Sequence, residues 1–412
     1  MMPYVFLLFF QSFTVFCLDL KTIYQEAKNN NTTLKDVILN RDILEQKKAQ
    51  LRSATLPTLT LNASFIQLNQ ARDFTNRGLD DTAESITIRG VQRLFSGLKE
   101  MYSLQSMNAL ISAEEHNIRS YQLDLLSEVS RVYFQIYLQQ ERSKNLQELV
   151  SLSQERETLL KQRVRIGKSR NTELRQAKVQ THLHQINLQE THMQLQNLWN
   201  DLHAVVGKKL PIETLLPYIQ PSNTIEPLDT YLNRINQHPM ILAEEAKIQG
   251  LQKEKNSWQS DYFPTVNLTS NYYVQAAQNW AANPEWDFGV ALSYPFFEGG
   301  LTRARVAESA LNVSKSVNQL NQLKITLENQ IKSTHQTLLI KQQQQKVIDE
   351  INRDNKNNFN EIKKEFAMGL VNNLEVITAL NTYVESLNQK VENSISLQLN
   401  YILLKALIGE EI

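Results

Sequence analysis

The sequence is poor in cysteine, glycine, proline and net charge. Of 412 residues one is cysteine (Cys17), 11 are glycine and 10 are proline, and 43 basic residues balance 43 acidic ones. A lone cysteine excludes a disulfide framework within the chain. The absence of a basic excess argues against nucleic acid as a partner. Few glycines and prolines among many Gln, Asn, Leu, Lys and Glu make a composition for long helices, not for a loop-rich enzyme. Beyond the N-terminus no stretch approaches the ~20 apolar residues of a membrane-spanning helix. Phosphate-binding glycine loops and nucleophile elbows are missing too. The seven histidines show no metal-ligand spacing; His182 and His184, two apart, point to different helix faces. No catalytic residue, cofactor or metal is expected.

The chain opens with an uncharged apolar run, including Phe6, Leu7, Leu8, Phe9, Phe10 and Phe16, and charge begins at Asp19. The run is too short to span a membrane, so residues 1–17 are expected to be a secretory signal peptide. Cys17 is then either a lipidated first residue of the mature chain or the last residue of the signal.

An internal repeat organises the rest. Arg93-Leu94-Phe95-Ser96-Gly97 matches Pro295-Phe296-Phe297-Glu298-Gly299, Gly167 matches Gly369, and Val206-Gly207 matches Ile408-Gly409. Each glycine pair is 202 positions apart. Leu56-Pro57-Thr58-Leu59 is echoed by Phe263-Pro264-Thr265-Val266. The expected division is a first repeat over 18–207, a linker over 208–228 carrying Pro211, Pro217, Pro221 and Pro227, and a second repeat over 229–412.

Within each repeat a helix precedes a strand hairpin, expected at about 58–95 and 264–297. Leu59, Leu61, Ala63 and Phe65 alternate with Thr60, Asn62 and Ser64; Trp286, Phe288, Val290 and Leu292 alternate with Asp287, Gly289 and Ala291. Gly90 interrupts the run from Ser85 to Phe95 and suggests a β-bulge. The runs have about the ~9–11 residues that a tilted strand needs to cross a bilayer, although soluble hairpins with one face on a core would alternate in the same way. Polar loops at 70–81 and 276–285 separate the strands, and Trp280 and Trp286 fit an interfacial aromatic belt.

From Gly97 to Gly167, and from Gly299 to Gly369, no proline occurs, and each interval predicts one long helix. Glycine at 167 and 369 then suits a helix end that needs the left-handed conformation. Helical hairpins are therefore expected at about 97–207 and 299–409. Leu125, Val129, Val132 and Ile136, and again Ile377, Leu380, Val384, Leu387 and Val391, recur at coiled-coil spacing. A narrow seam on a polar helix suits the wall of a tube or a solid coiled coil. Four strands cannot close a barrel, which needs ~8, so strands that cross lipid must be shared among several copies.

On Leu56-Pro57-Thr58-Leu59, Leu94-Phe95-Ser96-Gly97, Tyr294-Pro295-Phe296-Phe297-Glu298-Gly299-Gly300 and the two later glycines, in this order and spacing, the chain resembles the TolC family of outer-membrane efflux proteins. Arg93 departs from the family's usual proline. The resemblance implies an α+β membrane protein, a homotrimer with four strands per chain in a shared twelve-stranded barrel, and coiled-coil hairpins forming a periplasmic tunnel. It further implies an outer-membrane channel of a tripartite efflux or type I secretion system. Its partners would be a periplasmic adaptor (membrane fusion) protein, an inner-membrane pump of RND or ABC type, and outer-membrane lipid. The alternative is a secreted coiled-coil structural protein of the cell envelope.

The resemblance also implies that the helical turns close the tunnel and dock the adaptor, which assigns Gly167, Lys168, Ser169, Met368, Gly369, Leu370 and Val371. On the residues alone these glycines could simply cap helices. Six residues beyond each glycine, Glu173 and Glu375 would form a carboxylate ring at a pore constriction, or be solvated. Lys161, Arg163, Arg165, Lys168 and Arg170 make a basic cluster that could meet an acidic adaptor surface and is expected, rather, to be a solvated face. Phe366 and Val371, flanking the second turn, offer no polar side chain for a lock between helices.

Overall fold

A computed structural model describes residues 19–67, 82–211, 215, 225–275 and 285–412. The signal peptide with Cys17, the two polar loops apart from Glu285, and Trp280, Pro217 and Pro221 of the linker lie outside the described residues. In chain order the elements are α1 (Leu20–Asn30), α2 (Thr32–Ser53), β1 (Thr58–Gln67), β2 (Thr82–Phe95), α3 (Lys99–Arg165), α4 (Asn171–Val206), α5 (Leu228–Leu232), α6 (Pro239–Gln259), β3 (Thr265–Gln275), β4 (Trp286–Ser293), α7 (Leu301–Met368) and α8 (Asn373–Leu407). The four strands and two helical hairpins expected from sequence are present. Two compact units form, and each draws on both repeats.

One unit, Asp36–Arg119 with Pro239–Ile325, holds the sheet. Its strand order is β1-β2-β3-β4, antiparallel throughout, with β1 and β4 as the two edges. Register turns the alternation of each strand into two chemically distinct faces. Leu61, Ile88, Tyr272 and Trp286 are cross-strand partners and form an apolar row over all four strands. The adjacent row, on the opposite face, is Thr60, Arg89, Asn271 and Asp287. There Asn271 Nδ2 donates to Asp287 at 2.8 Å and the Tyr273 hydroxyl donates to it at 2.6 Å. The apolar face is bare: Leu59 is 77% exposed and Leu292 69%.

Gly90 makes no bulge. It pairs in register with Leu59 and Ser270, and the irregularities fall between Ile86 and Thr87 and between Arg93 and Phe95. An added Cβ at Gly90 would lie 3.3 Å from Leu59 Cδ2, so this glycine makes room for a cross-strand leucine. The strands pass into α3 and α7 through equivalent hydroxyl–carboxylate pairs with exchanged ends. Ser96 donates to Glu100, whereas Thr302 donates to Glu298 at 2.5 Å.

The other unit contains Ser120–His238, Thr326–Ile412 and the described residues up to Lys35. Here α3 and α4 make one hairpin and α7 and α8 the other. Leu125, Val129 and Ile136 are buried as their spacing predicts, and Val132 is half-buried; in α8, Leu380 and Val384 are buried, with Ile377, Leu387 and Val391 half-buried. Near the turns Leu149, Leu160, Ala177, Phe359, Phe366, Val376 and Leu380 form one core drawn from all four helices. Buried polar pairs interrupt the apolar seams and fix their register. Asn352 Nδ2 donates to Ser386 Oγ at 3.1 Å, and Ser153 Oγ donates to the Leu149 carbonyl at 2.8 Å. The same Ser153 oxygen lies 2.9 Å from His184 Nδ1, and Gln180 Nε2 lies 3.0 Å from His184 Nε2. Between hairpins, Asn145 Nδ2 donates to Asn388 Oδ1 at 2.9 Å.

Candidate functional site at the two helical turns

Both turns after the long helices end in the same way. Gly167 has φ 73 and Gly369 φ 83. The Gly167 amide donates to the Val164 carbonyl at 3.0 Å and the Lys168 amide to Arg163 at 2.8 Å; Gly369 donates to Phe366 at 3.1 Å and Leu370 to Glu365 at 3.0 Å. This paired pattern closes a helix around a left-handed residue and uses two otherwise orphaned carbonyls. At neither glycine would an added Cβ meet an atom within 4 Å. Glycine is required there by backbone conformation, not by crowding.

The side chains differ. Around the first turn Lys161, Arg165, Lys168 and Arg170 are exposed and Ser169 is half-buried. The second presents apolar surface, with Met368 68% and Leu370 72% exposed, while Val371 is half-buried. α8 begins with a complete capping box: Asn372 Oδ1 accepts from the Leu374 and Glu375 amides at 2.8 and 3.2 Å, and the Asn372 amide donates to Glu375 Oε1 at 3.3 Å. The Glu375 carboxylate, exposed, is thus tied to its own helix start. α4 starts at Arg170 with no side-chain cap, and Glu173, in its first turn, is half-buried.

Sequence reading missed what joins the two turns. Arg163 leaves the expected solvated face and its Nη2 donates to the carbonyls of Phe366 and Ala367 at 2.9 and 3.2 Å. Its guanidinium lies 4.4 Å from the Phe366 ring centroid. The last turn of α7 contains no basic residue of its own, so Arg163 supplies charge at that helix's negative end. Arg156, two turns earlier on α3, donates through Nε and Nη2 to Asn373 Oδ1 at 2.8 and 2.6 Å, and through Nη2 also to the Asn373 carbonyl. Burial lowers the Arg156 pKa to about 10, which leaves it cationic at neutral pH. Phe366 therefore does take part in a polar lock, through its carbonyl and ring. The pairing is invisible in sequence because its partners stand 203 to 217 positions apart.

Between α3, α7 and α8 behind this lock lies an apolar cavity of about 170 Å³, walled by Leu152, Leu159, Phe359, Phe366, Val376 and Leu380. Among the described residues no cluster of His, Cys, Asp or Glu is arranged to hold a metal ion.

Strand hairpins sharing one two-faced sheet, joined in sequence to long helical hairpins with glycine turns, define an outer-membrane channel fold. A family model described as outer membrane efflux protein matches residues 23–208 and 233–410. The chain belongs to that family, and is accordingly an outer-membrane protein. Outer membrane protein TolC of Escherichia coli (strain K12) is 20% identical over 318 residues, 73% of this chain and 64% of the relative, so the chain spans less than two thirds of that protein. Among solved structures, a membrane protein from Pseudomonas aeruginosa superposes with a TM-score of 0.83 at 17% identity, covering 95% of this chain and 90% of that one. The Campylobacter jejuni CmeC outer membrane channel does so with a TM-score of 0.82 at 16% identity, covering 95% and 85%. At such identities the likeness is one of fold. A secreted coiled-coil structural protein of the cell envelope finds no support in these matches.

Proposed function

We propose that the chain is one subunit of an outer-membrane export channel, a passive and non-enzymatic conduit that receives substrate from an inner-membrane pump through a periplasmic adaptor. The observation that carries this reading is the sheet. A bare apolar row beside a polar row, with two unpaired edges, is unstable as an isolated sheet in water or in lipid. It becomes stable when copies close a barrel whose apolar face meets lipid and whose polar face lines an aqueous lumen. Three copies would contribute twelve strands, in keeping with the family's architecture, and the helical hairpins would form the periplasmic tunnel. Whether the pump is of RND or ABC type is a property of the partner.

Gly167, Lys168 and Ser169, with Met368, Gly369, Leu370 and Val371, would form the adaptor-docking end. The exposure of Met368 and Leu370 at the turn itself supports this reading. Glu173 and Glu375 would place carboxylates at the constriction, where a ring of like charge favours cations. The capping box agrees with this, because it fixes Glu375 near the turn.

The main test is fractionation followed by planar-bilayer recording. The chain should sediment with outer membrane as a heat-modifiable oligomer and conduct ions. Glu173→Gln with Glu375→Gln should lower cation preference, and an unchanged reversal potential would reject the carboxylate ring. A protein that stays monomeric in mild detergent and never conducts would reject the channel.

A further inference from the structure

The two repeats build equivalent strand-to-helix junctions, and the chain covers only the first of them. There β2 enters α3 against the end of α6. Lys99 Nζ pairs with Asp261 at 2.6 Å and lies 5.1 Å from the Trp258 ring centroid. An added Cβ at Gly97 would lie 2.6 Å from the Ser260 carbonyl oxygen and 2.9 Å from Phe263 Cβ. The repeat carries Gly97 to Gly299 and Lys99 to Leu301. The match of Phe263-Pro264 to Leu56-Pro57 likewise carries Trp258, Ser260, Asp261 and Phe263 to Leu51, Ser53, Ala54 and Leu56. At the second junction nothing stands within 4 Å of a Cβ built on Gly299, and Leu301, Ala54 and Leu56 are exposed. These residues flank β4 and β1, the opposite edges of the sheet.

The changes between junctions are complementary. Where Lys99 becomes Leu301, its anionic partner becomes Ala54 and its aromatic partner becomes Leu51. A charged contact has become an apolar one on both sides at once, although those sides are separated by the width of the sheet. Loss of the cation alone would have left an unpaired carboxylate. Loss of both partners together is what a real contact requires.

We propose that Leu301 of one copy seats on Leu51 and Ala54 of a second copy of this chain, with Gly299 packed beneath that copy's Ser53 and Leu56. This seam rests on the channel-subunit reading and assigns the residues that join subunits beside the paired edges of β4 and β1. Unlike the junction within the chain, it contains no ion pair at this position, so it should hold equally at low and at molar salt.

The experiment uses the full chain, with Cys17→Ser, purified in mild detergent and treated with a short bifunctional thiol reagent. Ala54→Cys combined with Leu301→Cys should give a ladder of covalently joined chains on a denaturing gel, absent from either single variant and unchanged by salt. Gly299→Ala should abolish the oligomer. Gly300→Leu should keep it, because the equivalent Leu98 already holds φ 67. An oligomer that conducts but never cross-links, or that tolerates Gly299→Ala, overturns the seam and leaves the channel standing. A chain that neither assembles nor conducts overturns both.

Discussion

The two helical turns have one backbone design and different chemistries, although Ile166 gives the first an exposed apolar side chain too. Each closes on a left-handed glycine with the same pair of hydrogen bonds, yet the first is basic and uncapped on its far side, whereas the second is apolar and fully capped. The helix leading into the first, α3, supplies both arginines that bind the second, Arg163 at the end of α7 and Arg156 at the start of α8. Backbone geometry was retained in both repeats because only a few conformations reverse a helix so tightly. The side chains were free to specialise, one turn as donor of charge and the other as its receptor.

Removing the donor should have the largest effect. Arg156→Ala leaves the buried Asn373 carboxamide oxygen without its cation, and about 2–3 kcal/mol of stability should go with it. Arg156→Lys should recover only part, since an ammonium cannot reproduce the fork. Thermal unfolding in detergent reads both, and equal midpoints for wild type and Arg156→Ala would dissolve the asymmetry. Next come the glycines. Gly167→Ala and Gly369→Ala should each cost ~1–2 kcal/mol, and by like amounts, because only the left-handed backbone is at stake in each. A clear difference between them would mean that one turn is crowded by a neighbour.

The caps come third. Asn372→Ala should cost ~1 kcal/mol, whereas Arg170→Ala at the corresponding start of α4 should cost nothing measurable by the same unfolding assay. The smallest effect concerns acid. Burial lowers the His184 pKa below the ordinary 6.5. The unfolded chain then takes up a proton at a pH where the native one does not, so stability is held above 6.5 and falls as pH drops from there towards the lowered value. His184→Gln should flatten this part of the profile, visible as a smaller shift of the unfolding midpoint on moving from neutral to mildly acidic buffer.

Much of this was legible in advance, for identifiable reasons. Glycines at fixed spacing mark the turns because backbone conformation, not context, demands them at 167 and 369. Alternation marks the strands because both faces of the sheet keep their own chemistry. Gly90 misled because the same residue serves two purposes, and here it accommodates Leu59. Asn372 and Glu375 stand at capping-box spacing, but a carboxylate considered for a pore concealed the local role that the hydrogen bonds reveal. The grips of Arg156 and Arg163 could not be read at all, because they depend on which face of α3 meets the second hairpin. The exchange of Ser96 and Glu100 for Glu298 and Thr302 keeps one hydroxyl–carboxylate contact in both repeats with its ends reversed, which only the hydrogen bonds reveal.

The bare apolar row from Leu61 to Trp286 has a consequence for the life of the chain before it functions. A newly made copy carries greasy strands with sticky borders through an aqueous compartment, where they would template clumping with any similar neighbour. On the proposed channel reading such a polypeptide would need an escort, with its final folding coupled to insertion and assembly. Mislocalised or surplus copies should therefore fail as aggregates and not persist as soluble spares.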